Sequence, residues 1–188
     1  MAEPVVLTDE QMAAEVERLT GQLRRTRQER KVTTRAAAAV AGINGGTLYR
    51  LEAGKHSPSL RVFCYLANAV GLRPETDEGS DRPRMPLPEE LAWPYGFVGG
   101  LYASVDGVDE ARKLLGAELW WARREELGGL TEEAACELLR MSHHTLRAVE
   151  FGPDWPYLTS VIRAAGLSGR RVVLVDAGMD RRVSPWVP

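Results

Sequence analysis

Three histidines, two cysteines and a concentration of arginines are the residues of this 188-residue chain with chemistry to offer. The histidines are His56, His143 and His144. Neighbouring residues on a helix point about 100° apart, so His143 and His144 make a poor metal pair. The chain carries no Cys-x-x-Cys, His-Glu-x-x-His, phosphate loop or nucleophile elbow. A catalytic or metal centre is therefore not expected, and no cofactor is implied. Cys64 and Cys136 each fall within an apolar helical pattern and read as small core residues rather than as disulfide partners or ligands.

The charges point to a polyanionic partner once they are divided along the chain. The net charge is −2. Residues 15–73 hold 11 Lys/Arg against 4 Asp/Glu, a net of +7, whereas residues 1–14, 74–107 and 108–188 carry −3, −5 and −1. Positive charge confined to one segment is the electrostatic footprint of nucleic-acid binding, and equally of a solvated basic helix face. No apolar run approaches the roughly 20 residues that a membrane span needs. The start, MAEPVVLTDEQ, lacks the plan of a signal peptide, so a cytoplasmic location is expected.

The elements that would position this chemistry centre on Thr33 to Gly54, TTRAAAAVAGINGGTLYRLEAG. Thr33 is suited to cap a helix whose small residues Ala36 to Ala41 allow close packing. Gly42 ends that helix in the left-handed conformation that glycine adopts without steric cost. Asn44 caps a second helix with Leu48 and Leu51 facing inward and Gly54 closing it. Two short helices joined in this way form a helix-turn-helix, whose second helix lies in the DNA major groove.

The longer segment Leu23 to Leu72 resembles the lambda-repressor-like (Cro-type, XRE-like) family. The landmarks are Arg27, Ala37-Ala38, Gly42-Ile43, Thr47-Leu48, Glu52-x-Gly54, Pro58-x-Leu60 and Gly71-Leu72. The resemblance implies that Arg27 pairs with Glu52 to clamp the reading helix onto the first helix. It assigns base reading to the opening of the reading helix, where this chain has Gly45 and Gly46. Either these glycines let the backbone approach DNA closely, or this unit reads fewer bases. Direct readout then passes to Thr47, Tyr49 and Arg50. An arginine bonded to both acceptors of a guanine gives about 1–3 kcal/mol of discrimination. Thr34, Arg35, Lys55 and His56 flank the helix and would bind phosphate, setting register without specifying sequence.

Upstream, Thr8 and Gln11 fit a capping box, and Met12, Val16, Leu19 and Leu23 recur at helical spacing, predicting a helix from about 9 to 30. Ser57-Pro58 is expected to start a fourth helix, with Ser57 as cap. Residues 74–107 are acidic and rich in proline, and read as a semi-extended linker. Trp93, Tyr95 and Phe97 near its end are expected to dock onto a domain. A strand near Phe97–Tyr102 is expected to pair with a strand at Arg170–Val175.

From Val108 the pattern begins again. A shift of 98 places Thr47-Leu48-x-x-x-Glu52-x-Gly54 on Thr145-Leu146-x-x-x-Glu150-x-Gly152, and Thr33, Ala37, Pro58 and Leu60 on Thr131, Ala135, Pro156 and Leu158. With a three-residue deletion, Gly71-Leu72 falls on Gly166-Leu167. One added glycine makes Arg124 the clamp residue opposite Glu150. Arg140 replaces the turn glycine, so an altered turn is expected. His143, His144, Thr145 and Arg147 open the second reading helix and can reach base edges. Glu132 and Glu133, standing where the family has a phosphate-contacting residue, would repel the backbone.

The expected fold is all-α: two lambda-repressor-like bundles in tandem (1–73 and 108–188), the linker between them, and a short β element beside the second. The expected function is sequence-specific binding of double-stranded DNA for transcriptional control, as a repressor. Two unlike units in one chain predict an asymmetric operator. The alternative is an adaptor or antitoxin-like regulator, in which the second unit, with Trp120, Trp121 and Trp155, dimerises or binds a protein while the first alone meets DNA. High Ala, Arg, Gly and Val usage suggests a bacterial or phage source of high genomic G+C.

Overall fold

The computed structural model describes residues 3–77, 107–151 and 154–177. Helix α1 spans Asp9–Glu29, α2 Thr34–Val40, α3 Gly45–Glu52 and α4 Leu60–Ala69, followed by strand β1, Leu72–Asp77. Helix α5 spans Gly107–Trp121 and runs on as a π-helical stretch, Ala122–Glu126. Then come α6 Glu132–Leu139, α7 His143–Glu150, α8 Leu158–Leu167 and strand β2, Arg171–Asp176. The fold is mostly helical, with a small two-stranded sheet. The capping box at Thr8 and Gln11 forms as the sequence indicates, each side chain receiving the other's backbone N–H.

Helices α5 to α8 begin at the positions that a shift of 98 from α1 to α4 assigns. Helices α3 and α4 fall residue for residue on α7 and α8. The caps correspond as well: Thr33 accepts from Ala36 N and Thr131 from Ala134 N, Asn44 from Thr47 N and Ser142 from Thr145 N. Arg140 takes φ +50°, close to the +65° of Gly42, so the turn is retained at an arginine rather than altered. The three-residue deletion is not needed. Gly71 and Gly169 both have φ +67° directly after α4 and α8, so the shift of 98 holds to the strands.

Other sequence-based expectations need correction. The cap of α4 is Ser59, whose hydroxyl accepts from Val62 N, not Ser57, and Pro58 precedes the helix. Residues 74–77 of the supposed linker belong to β1. The strand at Arg171–Asp176 pairs with β1, antiparallel, from Leu72 opposite Asp176 to Asp77 opposite Arg171. The sheet therefore joins the two halves instead of flanking the second. The expected strand at Phe97–Tyr102, the docking of Trp93, Tyr95 and Phe97, and Gly152 lie outside the described residues.

Two contacts join the halves directly. Ser59 bridges Tyr157, flanked by Leu60 N donating to Pro156 O (2.7 Å) and Leu158 N donating to Pro58 O (3.0 Å). In the sheet, Glu75 lies opposite Val173. Each of these pairs joins residues 98 apart. Further hydrogen bonds link residues before 78 to those after 106: Arg18 donates to Val172 O and Gln22 to Leu174 O (3.0 Å), while Thr76 N and its hydroxyl donate to Glu118 (3.1 and 2.8 Å).

One buried apolar cluster draws on both halves. Leu19, Phe63, Ala67 and Leu72 share it with Leu115, Leu158, Val161, Val172 and Leu174. A smaller cluster under α6 and α7 contains Ala135, Leu139, Leu146 and Leu167. Cys64 and Cys136 are buried and free, and burial pushes the Cys64 thiol up to about 12. Arg170, enclosed completely, donates to Glu126 (2.5 and 3.2 Å) and to the Thr76 hydroxyl (3.1 Å) beneath the Trp121 ring. A buried charge must be paired, and here the pairing ties β2 to β1 and to the π-helical stretch. Among the described residues, no helix is long and apolar enough to cross a membrane.

Candidate nucleic-acid interface

Helix α3 is held from below and left open above. Leu48 and Leu51 are buried with Ala37 and Ala38, small residues that let α2 and α3 approach closely. Arg27 grips the far end: Nε and Nη2 donate to the two oxygens of Glu52 at 2.6 and 2.8 Å, and Nη1 donates to Val32 O at 3.0 Å. The Glu52 hydrogen bond, against the opposing cost of burial, raises the Arg27 pKa, so the guanidinium stays charged. This bidentate clamp ties α3 to α1 and to the turn that precedes α2.

The outward side of α3 carries Tyr49, which is 68% exposed, and exposed Arg50. Arg35, Lys55 and His56 are exposed around it, and His56 Nδ1 lies 3.2 Å from Lys55 O. Among the described residues the side chains of Arg50, Arg35 and Lys55 make no hydrogen bond or ion pair, so the positive charge of this face is unneutralised by the fold. Thr47 is placed differently from expectation. It is half-buried, and its hydroxyl donates to the capping oxygen of Asn44 at 3.1 Å, leaving its lone pairs as the available polar function. Thr34 is half-buried at the start of α2, beside the start of α3. Gly45 and Gly46 have ordinary helical φ, and a methyl group at Gly45 would meet only Thr34 Cγ2, at 3.9 Å. Internal packing does not require glycine at position 45.

The corresponding surface of α7 is built from the same backbone with different charges. Its clamp is Arg123, not Arg124: Nε and Nη2 donate to Glu150 at 2.7 and 2.9 Å, and Nη1 donates to Leu130 O at 2.6 Å. Seven residues separate Arg123 from Leu130 where five separate Arg27 from Val32. The π-helical stretch and the left-handed Gly128 and Gly129 absorb the two extra residues, and sequence spacing allowed for one. Burial works against the Arg123 charge, but the bonds to Glu150 outweigh it and raise its pKa.

The polar residues of α7 are exposed but occupied. Arg147 donates to Glu132 at 2.5 and 3.2 Å, and His143 Nδ1 lies 3.3 Å from the same carboxylate. His144 lies 3.5 Å from Asp154, and the Thr145 and Ser142 hydroxyls are 2.9 Å apart. Burial opposes ionisation of Glu132, yet the hydrogen bonds from Arg147 and His143 prevail and hold its carboxyl below the usual value. The position matching Arg50 is Ala148, which is buried. Sequence spacing identified Glu132 as a repulsive charge but gave no sign that it holds Arg147, because the two lie on different helices. Among the described residues no cluster of three or more His, Cys, Asp or Glu side chains could hold a metal ion.

The family of helix-turn-helix domains matches residues 18–78. No curated protein and no solved structure matches the chain. The matched segment is thus similar to a helix-turn-helix domain, and its described part, residues 18–77, runs from within α1 through β1.

Proposed function

We propose that the chain is a sequence-specific transcriptional regulator of the lambda-repressor-like kind, acting in the cytoplasm as a repressor that covers a promoter. The observation that carries this reading is the outer face of α3. There Tyr49 and Arg50 project from a clamped helix, among cations that the fold leaves unpaired. Arg50 reads a base edge, with Tyr49 and Thr47 beside it. Thr34, Arg35, Lys55 and His56 hold phosphates on either side, with the backbone of Gly45 and Gly46 at the point of entry.

On this reading the second half is a divergent copy of the first, with α5 to α8 standing for α1 to α4. The domain division is then 1–73 and 108–188, with β1 extending the first unit to residue 77. The pairs Ser59–Tyr157 and Glu75–Val173, each 98 residues apart, support an approximate two-fold relation between the halves, with α7 standing for the reading helix of a dimer's second protomer, about 34 Å along the DNA. Because α3 and α7 present different side chains, the operator of a single chain is asymmetric, with base contacts on the α3 side.

The adaptor reading draws support from the occupied state of Arg147 and His143, which leaves DNA contact to the first unit. It draws none from the tryptophans: Trp121 is buried at 8% exposure, and Trp120 and Trp155 are half-buried. Selection from random duplex DNA with the intact chain separates these readings. A motif enriched by the wild type, and bound about ten- to hundredfold more weakly by Arg50→Ala, is the expected result. Absence of any enriched motif would end the regulator reading.

A further inference from the structure

Resting on the DNA-binding reading above, we propose that Glu132 is the specificity-determining residue that withholds α7 from the DNA, so that the chain reads its operator through α3. Thr34 and Glu132 open α2 and α6 behind equivalent threonine caps. Thr34 lies beside the start of α3 as Glu132 lies beside the start of α7, where His143 is the counterpart of Gly45. One position, two chemistries: a neutral hydroxyl in the first half and a carboxylate in the second.

That carboxylate acts in two ways. It holds the guanidinium of Arg147 by a two-point contact at 2.5 and 3.2 Å and takes the His143 ring at 3.3 Å. These are two of the α7 side chains chemically equipped to bond a base edge. It also sets a negative charge at the first turn of α6, beside Glu133, where α2 offers Thr34 and Arg35. Carboxylates facing phosphates cancel the counterion-release term on which DNA affinity rests. The Arg147 side chain is still 62% exposed, so the pairing neutralises the group in place rather than burying it. The α7 surface is thus sterically open and electrostatically closed, and Glu132 is the residue that closes it.

The test uses full-length protein and a duplex carrying the site selected by the wild type. Affinity is measured across a salt series, with the protected length read by footprinting and folding checked by thermal denaturation. Glu132→Gln keeps the shape and removes the charge, and Glu132→Thr installs the residue found at position 34. Both are expected to bind more tightly and to steepen the salt dependence by about one to two units, since each added phosphate contact contributes about 0.9. They should also extend protection on the α7 side. Arg147→Ala should leave the wild-type footprint and its base preferences unchanged and should abolish the extended protection of the Glu132→Gln background. If Arg147→Ala shortens the wild-type footprint on the α7 side, α7 reads DNA despite the pair and the inference fails. It fails equally if a folded Glu132→Gln and Glu132→Thr show wild-type affinity and slope, and in both cases the α3 reading survives. If the wild type selects no DNA at all, the functional reading and this inference fall together.

Discussion

Arg27 and Arg123 do the same work at different depths. Each forks onto a glutamate and donates a third bond to a backbone carbonyl, but the Glu52 side chain keeps 9% of its exposure and that of Glu150 only 2%. Removing one partner of a buried pair strands the other charge, at a cost of about 3–5 kcal/mol. Arg27→Ala and Arg123→Ala should both fall in or just below that range, with Arg123→Ala the more destabilising. Urea unfolding at pH 7 measures both, and the reverse order would mean that Glu150 finds another donor. Arg50→Ala, with no internal bond to lose, should leave the unfolding midpoint within about 0.5 kcal/mol of wild type. The Arg27–Glu52 clamp was legible in the sequence because it follows from a local motif. The register of Arg123 was not, because one backbone winding differs and spacing does not reveal a π-helical turn.

At the scale of the element, the turn between α6 and α7 keeps its left-handed residue at the expense of a side chain that resists it. Arg140 sits at φ +50°, where a residue other than glycine costs about 1–2 kcal/mol. Arg140→Gly relieves that strain and loses some unfolded-state restriction, so a net gain of about 0.5–1 kcal/mol is expected. Gly42→Ala at the matching turn should lose about 1 kcal/mol, although nothing lies within 4 Å of the added methyl. Thermal melts of the two variants moving in opposite directions would establish that backbone conformation, not packing, governs these turns. The starts of α1, α2 and α3 were readable for the same local reason, from their Thr8, Thr33 and Asn44 caps. The sheet was not readable. Residues 72–77 contain a proline and three acidic or basic side chains beyond Leu72, which suggest a linker. In a two-stranded ladder both strands are edges, where proline is tolerated, and the pairing was decided by a partner about a hundred residues away.

Across the whole molecule, the shared core makes the halves interdependent. A fragment ending near residue 75 would lose Leu158, Val161 and Val172 from the cluster that buries Phe63, Ala67 and Leu72. We expect one cooperative transition for the intact chain, with matching calorimetric and van't Hoff enthalpies, and no stable fold for the fragment. Two resolved transitions would contradict this. The contact between halves is also acid-sensitive. Glu15 accepts from Arg171 of β2 and from Arg18, which outweigh its burial and lower its pKa. The folded state therefore holds this proton less tightly than the unfolded chain. Its contribution to stability is full above the ordinary glutamate value of about 4.3 and is lost as pH falls through the lowered one. Glu15→Gln should flatten the acid limb of a melting-temperature profile between pH 7 and 3, and an unchanged limb would place the sensitivity elsewhere.

The pair at the centre of the sheet limits which molecules can share this architecture. Glu75 faces Val173, 98 residues on. In a symmetric ladder of two identical strands the central residue meets its own copy, and two glutamates directly opposed repel. Two copies of β1 centred on Glu75 could not close this sheet without that conflict. Within one chain the two strands need not be alike, so one member of the pair is apolar while the other stays acidic. Self-association through β1 is thereby discouraged by the residue that its own chain accommodates.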